Sequence, residues 1–211
     1  MKNILVIAPH LDDETLGCGA TLFRYRDEGR AIHWLLCSEL SEKDADIETV
    51  SKRYEFQSVT RLKLTPTKLD QVPMGALVEK ISALVQKVKV NTIFVPYIGD
   101  IHSDHKVVFE AALSCTKTFR YPSIEEIYAY ETLSETNFNL DPKIEAFRPN
   151  FYVNVEKYIE QKIATMKLLK SEMGEFPFPR SERAIMALAE LRGSESGYKA
   201  AEAFLLLKQR I

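Results

Sequence analysis

Five consecutive apolar residues, Ile4-Leu5-Val6-Ile7-Ala8, are cut off by Pro9 and the polar run His10-Leu11-Asp12-Asp13-Glu14. An apolar, β-branched run without polar alternation suits a strand covered on both faces, as in a parallel sheet. Residues 14 to 26 then place Leu16, Ala20, Leu22 and Phe23 at roughly helical spacing, and Gly29 is a plausible stop. Ile32 to Cys37 is a second buried-strand candidate, and 47 to 62 reads as a helix. A short strand near 64 to 69 follows, then a helix over about 75 to 88 with Leu77, Ile81, Leu84, Val85 and Val88 on one face. Thr92 to Tyr97 is another apolar strand, and 104 to 116 another helix. This alternation predicts an α/β fold: a mostly parallel sheet with helices on both faces.

After residue 120 the pattern loosens. Strands are expected at 124 to 132 and 151 to 155, and helices at 156 to 169, 184 to 191 and 200 to 209. Phe176-Pro177-Phe178-Pro179 reads as an irregular turn that forms a pocket wall or an oligomer contact. No repeat or linker divides the 211 residues, so residues 1–211 are treated as a single domain. Within it, about 1–120 carry the alternating part and about 121–211 a C-terminal strand/helix extension.

The charge balance of −2, with acids and bases mixed along the chain, shows no basic stripe and argues against a nucleic-acid partner. No apolar stretch approaches the ~18 residues of a membrane span. The three cysteines, Cys18, Cys37 and Cys115, are odd in number, far apart and set in apolar surroundings. They read as small buried hydrophobes in a reducing, cytoplasmic setting.

The sequence has four histidines, and three lie in two polar segments, His10-Leu11-Asp12-Asp13-Glu14 and His102-Ser103-Asp104-His105. Each follows a predicted strand, where open α/β sheets bind ligands. Imidazoles and a carboxylate form a common ligand set for a catalytic zinc. A second carboxylate can serve as general base and a second histidine as proton donor or oxyanion stabiliser. Spacing leaves the roles of His102 and His105 interchangeable. The structural alternative is helix capping by Asp12, Asp13, Thr15 and Asp104. His33, beside Trp34, reads as a core or edge residue.

Pro9-His10-Leu11-Asp12-Asp13-Glu14 resembles the Ala-His-Pro-Asp-Asp-Glu motif of the PIG-L (LmbE-like) zinc-dependent N-acetylglucosaminyl de-N-acetylases. His102-Ser103-Asp104-His105 resembles that family's His-Pro-Asp-His motif. Phe147-Arg148-Pro149-Asn150-Phe151-Tyr152 and the region from Arg192-Gly193 through Tyr198 to Ala201-Glu202-Ala203-Phe204 are similar to later family segments. The resemblance implies a Rossmann-like fold, with the C-terminal extension shaping the substrate pocket. It implies removal of an N-acetyl group from an N-acetylglucosamine-like amino sugar or its conjugate, by zinc-activated water. By the family pattern, one Zn²⁺ per chain is held by His10, Asp13 and His105. Asp12 is the general base, His102 assists the tetrahedral intermediate or leaving amine, and Asp104 orients a histidine.

Leu11 and Ser103 stand where the family motifs have proline, and Asp100 stands where some members have a tyrosine that supports the oxyanion. Arg53 lies near the place of a family arginine that contacts substrate, with a solvated helix face as the competing reading. A homo-oligomer is expected because relatives assemble. Two other function classes remain open: a non-catalytic sugar- or nucleotide-binding module, and a metal-dependent phosphoesterase.

Overall fold

The computed structural model describes residues 2–211. Seven strands form one sheet: β1 (Asn3–Ala8), β2 (Ala31–Ser38), β3 (Ser58–Leu64), β4 (Thr92–Pro96), β5 (Glu126–Tyr130), β6 (Phe151–Asn154) and β7 (Ala201–Gln209). Their order is β3-β2-β1-β4-β5-β7-β6. The first five are mutually parallel, and β7 runs antiparallel to both β5 and β6. The alternating part and the C-terminal part therefore share one continuous sheet.

The helices are α1 (Asp13–Asp27), α2 (Asp44–Tyr54), α3 (Met74–Val88), α4 (Ser103–Ser114), α5 (Ile159–Met166) and α6 (Glu182–Ser196). Helices α1, α2, α5 and α6 cover one face, where Leu16, Leu22, Ile47, Val50, Ile163 and Ile185 pack on Ile4, Val6, Trp34 and Phe94. Helices α3 and α4 cover the other, where Leu77, Ile81, Val85 and Val108 pack on Leu5, Ile7, Leu35 and Ile93. This two-sided cover explains why β1, β2 and β4 read as unbroken apolar runs. All three cysteines are free and buried. No helix among the described residues is long and apolar enough to cross a membrane.

Three expectations from the sequence need correction. The helix expected over 47 to 62 stops at Tyr54, where Glu55 takes a left-handed conformation with φ 56°. The following strand is Ser58–Leu64, earlier than the expected 64 to 69, and Leu69 opens a 3-10 turn. Its Ser-Val-Thr-Arg-Leu start is β-branched and pairs with β2 from His33 onward. The helix expected at 200 to 209 is strand β7. Its Ala, Glu, Leu, Lys and Gln favour helix in isolation, but hydrogen-bonded pairing on both sides overrides that preference.

The strand order positions the site. β1 leads through α1 to β2 on one side, whereas β4 lies on the other side of β1. Strand order reverses at β1, and the carboxyl ends of β1 and β4 bound the crevice where doubly wound sheets bind ligands.

Candidate active site

Because β1 and β4 are neighbours, the segments that follow them converge. The His10 and His102 ring centroids are 4.5 Å apart, and each lies 5.5 Å from that of His105. Ser38, at the end of β2, holds the first segment from its other side: its backbone N–H and its hydroxyl donate to the Pro9 carbonyl at 2.9 and 2.8 Å.

The acids in these segments are not ordinary helix caps. Asp12 occupies the N-cap position of α1 but makes no side-chain cap bond. Its backbone has φ 145°, a region that side-chain-bearing residues rarely enter. Its carbonyl anchors the helix by accepting from Thr15 and Leu16 N–H at 2.9 and 2.7 Å. Asp13 instead accepts from the His10 N–H at 2.8 Å. On α4 the cap is His102, whose Nδ1 accepts from the Asp104 N–H at 3.1 Å. Asp104 is free to accept from Thr67 and Leu69 N–H at 2.8 and 3.1 Å.

These bonds orient the three rings. Asp104 Oδ2 stands 2.9 Å from His10 Nε2, a pairing that turns Nδ1 toward Asp13 and would leave Nδ1 as the metal-binding nitrogen of the neutral ring. Asp100 Oδ2 stands 2.7 Å from His105 Nδ1 in the same way and turns Nε2 toward Asp13. Thr136 donates to the other Asp100 oxygen at 2.6 Å. His102 accepts at Nδ1, so its own proton sits on Nε2.

The two remaining ring nitrogens face one carboxylate oxygen. His10 Nδ1 and His105 Nε2 are each 3.3 Å from Asp13 Oδ2. His105 Nε2 is buried and has no hydrogen-bond partner, an expense a fold rarely tolerates without a ligand. Donors at ~2.0–2.2 Å from a tetrahedral Zn²⁺ stand about 3.3–3.6 Å from one another, which matches both distances. The ligand atoms of His10, Asp13 and His105 all lie within 4.8 Å of one another. A buried imidazole nitrogen without a hydrogen bond, two rings oriented by carboxylates and a matching spacing all fit a metal ion. A second potential group, His10, His102 and Asp104, shares His10 with the first.

The electrostatics follow from this crowding. Burial opposes a charged His10 ring, but its bonds with Asp104 and Asp13 outweigh it and push the pKa up to about 9. Burial likewise works against Asp13 ionising, but the facing His105 and His10 hold its carboxyl well below the usual range. Burial and the adjacent Asp13 push the Asp12 carboxyl well above its ordinary value, with Arg180 opposing them. Burial, then His10 and His105, push His102 down toward the neutral ring.

Asp12, Asp13, His10, His102, Asp104 and His105 are all brought together. Arg53 is not: it is exposed in the last turn of α2, and its carbonyl accepts from Arg26 at 3.3 Å. It lies just before β3, at the amino-terminal rim of the parallel strands, opposite the histidines. A solvated helix face is what the chain builds there. His33 is buried on β2 with Nδ1 on Ser58 Oγ at 2.7 Å, away from the cluster.

Two neighbours escaped the sequence analysis as site residues. Asp100, noted only for standing in place of a tyrosine, orients His105. Arg180 reaches the cluster from the Phe176–Pro179 turn, with Nη1 3.9 Å from Asp12 Oδ2. No periodic pattern marks it. Thr136, which holds Asp100, also lines a cavity of about 420 Å³ with Tyr97, Asn139, Phe147 and Arg192.

The chain is 27% identical over 186 residues to the uncharacterised deacetylase YaiS of Escherichia coli, covering 81% of this chain and 91% of that protein. It is 22% identical to the diacetylchitobiose deacetylase of Thermococcus kodakarensis, covering 96% and 82%. Its fold is similar to that of the N,N'-diacetylchitobiose deacetylase of Pyrococcus horikoshii, with a TM-score of 0.79 at 16% identity over 98% of this chain and 84% of that one. The PIG-L family model, described as GlcNAc-PI de-N-acetylase, matches residues 5–116, more than half of the 211 residues and the stretch that holds both histidine segments. The chain therefore belongs to the PIG-L family.

Proposed function

We propose that this protein is a zinc-dependent de-N-acetylase, hydrolysing the acetamide of an N-acetylglucosamine-like sugar or its conjugate. His10 Nδ1, Asp13 and His105 Nε2 would hold one Zn²⁺ per chain. The observation that carries this reading is the convergence of His10 Nδ1 and the buried His105 Nε2 on Asp13 Oδ2, each at 3.3 Å, with Asp100 holding the opposite His105 nitrogen. Bound there, the ion would supply Lewis acidity and lower the pKa of water.

The chain's own residues do the rest. Asp12 takes the proton of the attacking water at its carboxylate. Its raised affinity for a proton suits a group that must accept one and pass it on. His102 Nε2–H donates to the developing oxyanion or to the leaving amine nitrogen. Its Nδ1 is committed to the Asp104 N–H, so the ring presents its proton in one direction. Asp104 and Asp100 orient His10 and His105. Residues 121–211 would shape the pocket, since Ser134, Thr136, Glu172 and Arg180 all gather beside Asp12 and Asp100.

A two-metal phosphoesterase is less well supported, because the two ligand groups among the described residues share His10. The test is acetate release by zinc-loaded protein from free, nucleotide-linked and lipid-linked N-acetylglucosamine, run beside phosphate release from phosphate esters. Acetate without phosphate is expected. Phosphate release without acetate would overturn the reading.

A further inference from the structure

We propose that Arg180 is the positioning residue that aims the Asp12 carboxylate at the water it deprotonates, a role that rests on the de-N-acetylase reading above. A general base needs a lone pair left open and a carboxylate held in direction. Among the described residues, no hydrogen bond reaches the Asp12 carboxylate, and Arg180 supplies a cation within 4.0 Å of it. The separation of 3.9 Å is too long to occupy a lone pair as a hydrogen bond, yet short enough for strong attraction in a partly buried site.

The guanidinium is itself anchored. Nε donates to the Glu172 carbonyl at 2.8 Å, Nη2 reaches Glu172 Oε2 at 3.4 Å, and Nη1 donates to Ser134 Oγ at 3.2 Å. A planar fork tied at three points cannot follow a carboxylate that swings; the carboxylate must come to it. The acids Asp13, Glu14 and Glu172 also act on Asp12, in the opposite sense to Arg180. They push its carboxylate away without directing it. The backbone at Asp12 is already fixed by its bonds to Thr15 and Leu16, so side-chain rotation is the freedom left for Arg180 to restrict.

The test uses the zinc-loaded full chain with Arg180→Ala and Arg180→Lys. Loss of an aimed base should lower kcat roughly 10- to 100-fold, with KM for N,N'-diacetylchitobiose changed by less than about threefold. Arg180→Lys should recover part of the rate, and added guanidinium should partly rescue Arg180→Ala. Zinc content should stay at the wild-type value. A crystal structure of zinc-loaded Arg180→Ala should show the Asp12 carboxylate rotated from its wild-type position. A raised KM with unchanged kcat, or an Asp12 carboxylate that keeps its place in that crystal structure, would overturn the proposal. A wild-type protein that releases acetate from no N-acetyl sugar would count against the de-N-acetylase reading, while the crystal structures would still decide the role of Arg180.

Discussion

His105 and Asp100 form a fully buried pair, with Nδ1 of the ring 2.7 Å from the carboxylate. The carboxylate fixes the ring's orientation and sends its free lone pair toward Asp13. Partners of this kind typically contribute 10- to 100-fold in metal affinity. Asp100→Asn should therefore weaken zinc binding by about that factor, measured by competition with a chromophoric chelator. An unchanged affinity would mean that Asp100 serves only Thr136.

Zinc uptake should depend on pH in a defined direction. Without the ion, Asp104 and Asp13 keep His10 protonated up to about 9. A ligand imidazole must be neutral at the binding nitrogen, so below that pH zinc must displace a proton. Apparent affinity should rise with pH across the neutral range, by about tenfold per unit for each proton displaced. Chelator competition at several pH values, with ionic strength held constant, would show it. A flat profile would contradict the assignment of His10 as a ligand.

The strained backbone at Asp12 separates function from stability. With φ 145°, any residue bearing a Cβ is disfavoured there, and glycine less so. Asp12→Gly should be more stable than Asp12→Ala by about 1 kcal/mol in urea unfolding, although both lose the base. Equal stability would place the strain elsewhere.

Lys162 and Glu202 stitch the first helix to the last strand. Helix α1 breaks at Cys18, where φ is −143°. Glu202 accepts from the freed Ala20 and Thr21 N–H groups at 3.1 and 2.7 Å. Lys162 donates to the Leu16 carbonyl and to Glu202, both at 2.7 Å. Lys162→Met leaves a buried carboxylate without its cation and should cost about 3–5 kcal/mol in urea unfolding. A loss below about 1 kcal/mol would indicate that the amides alone satisfy Glu202.

The architecture was legible in the sequence where burial on both faces leaves an unbroken apolar run, as at Ile4–Ala8 and Thr92–Pro96. It was not legible at Ala201–Gln209, whose helix-favouring residues become a strand only because β5 and β6 lie on either side. The same limit governs the site. His10, Asp12, Asp13 and His105 stand in motifs that mark themselves, but their convergence depends on β1 and β4 being neighbours, which no local pattern encodes. Arg180 acts through a contact made far from its own stretch of chain, whereas Asp100 stands only five residues before the ring it orients and carries no motif of its own. Arg53, by contrast, sat in a suggestive stretch that the fold delivers to the opposite rim.

The most direct test of the account is to measure zinc content and acetate release on the same preparations of wild type, Asp12→Ala and His105→Ala. The account predicts one zinc per chain and acetate release in wild type. Asp12→Ala should keep its zinc and turn over at least ~100-fold more slowly, while His105→Ala should lose zinc and activity together. Wild-type turnover by Asp12→Ala, or full zinc occupancy in His105→Ala, would contradict it.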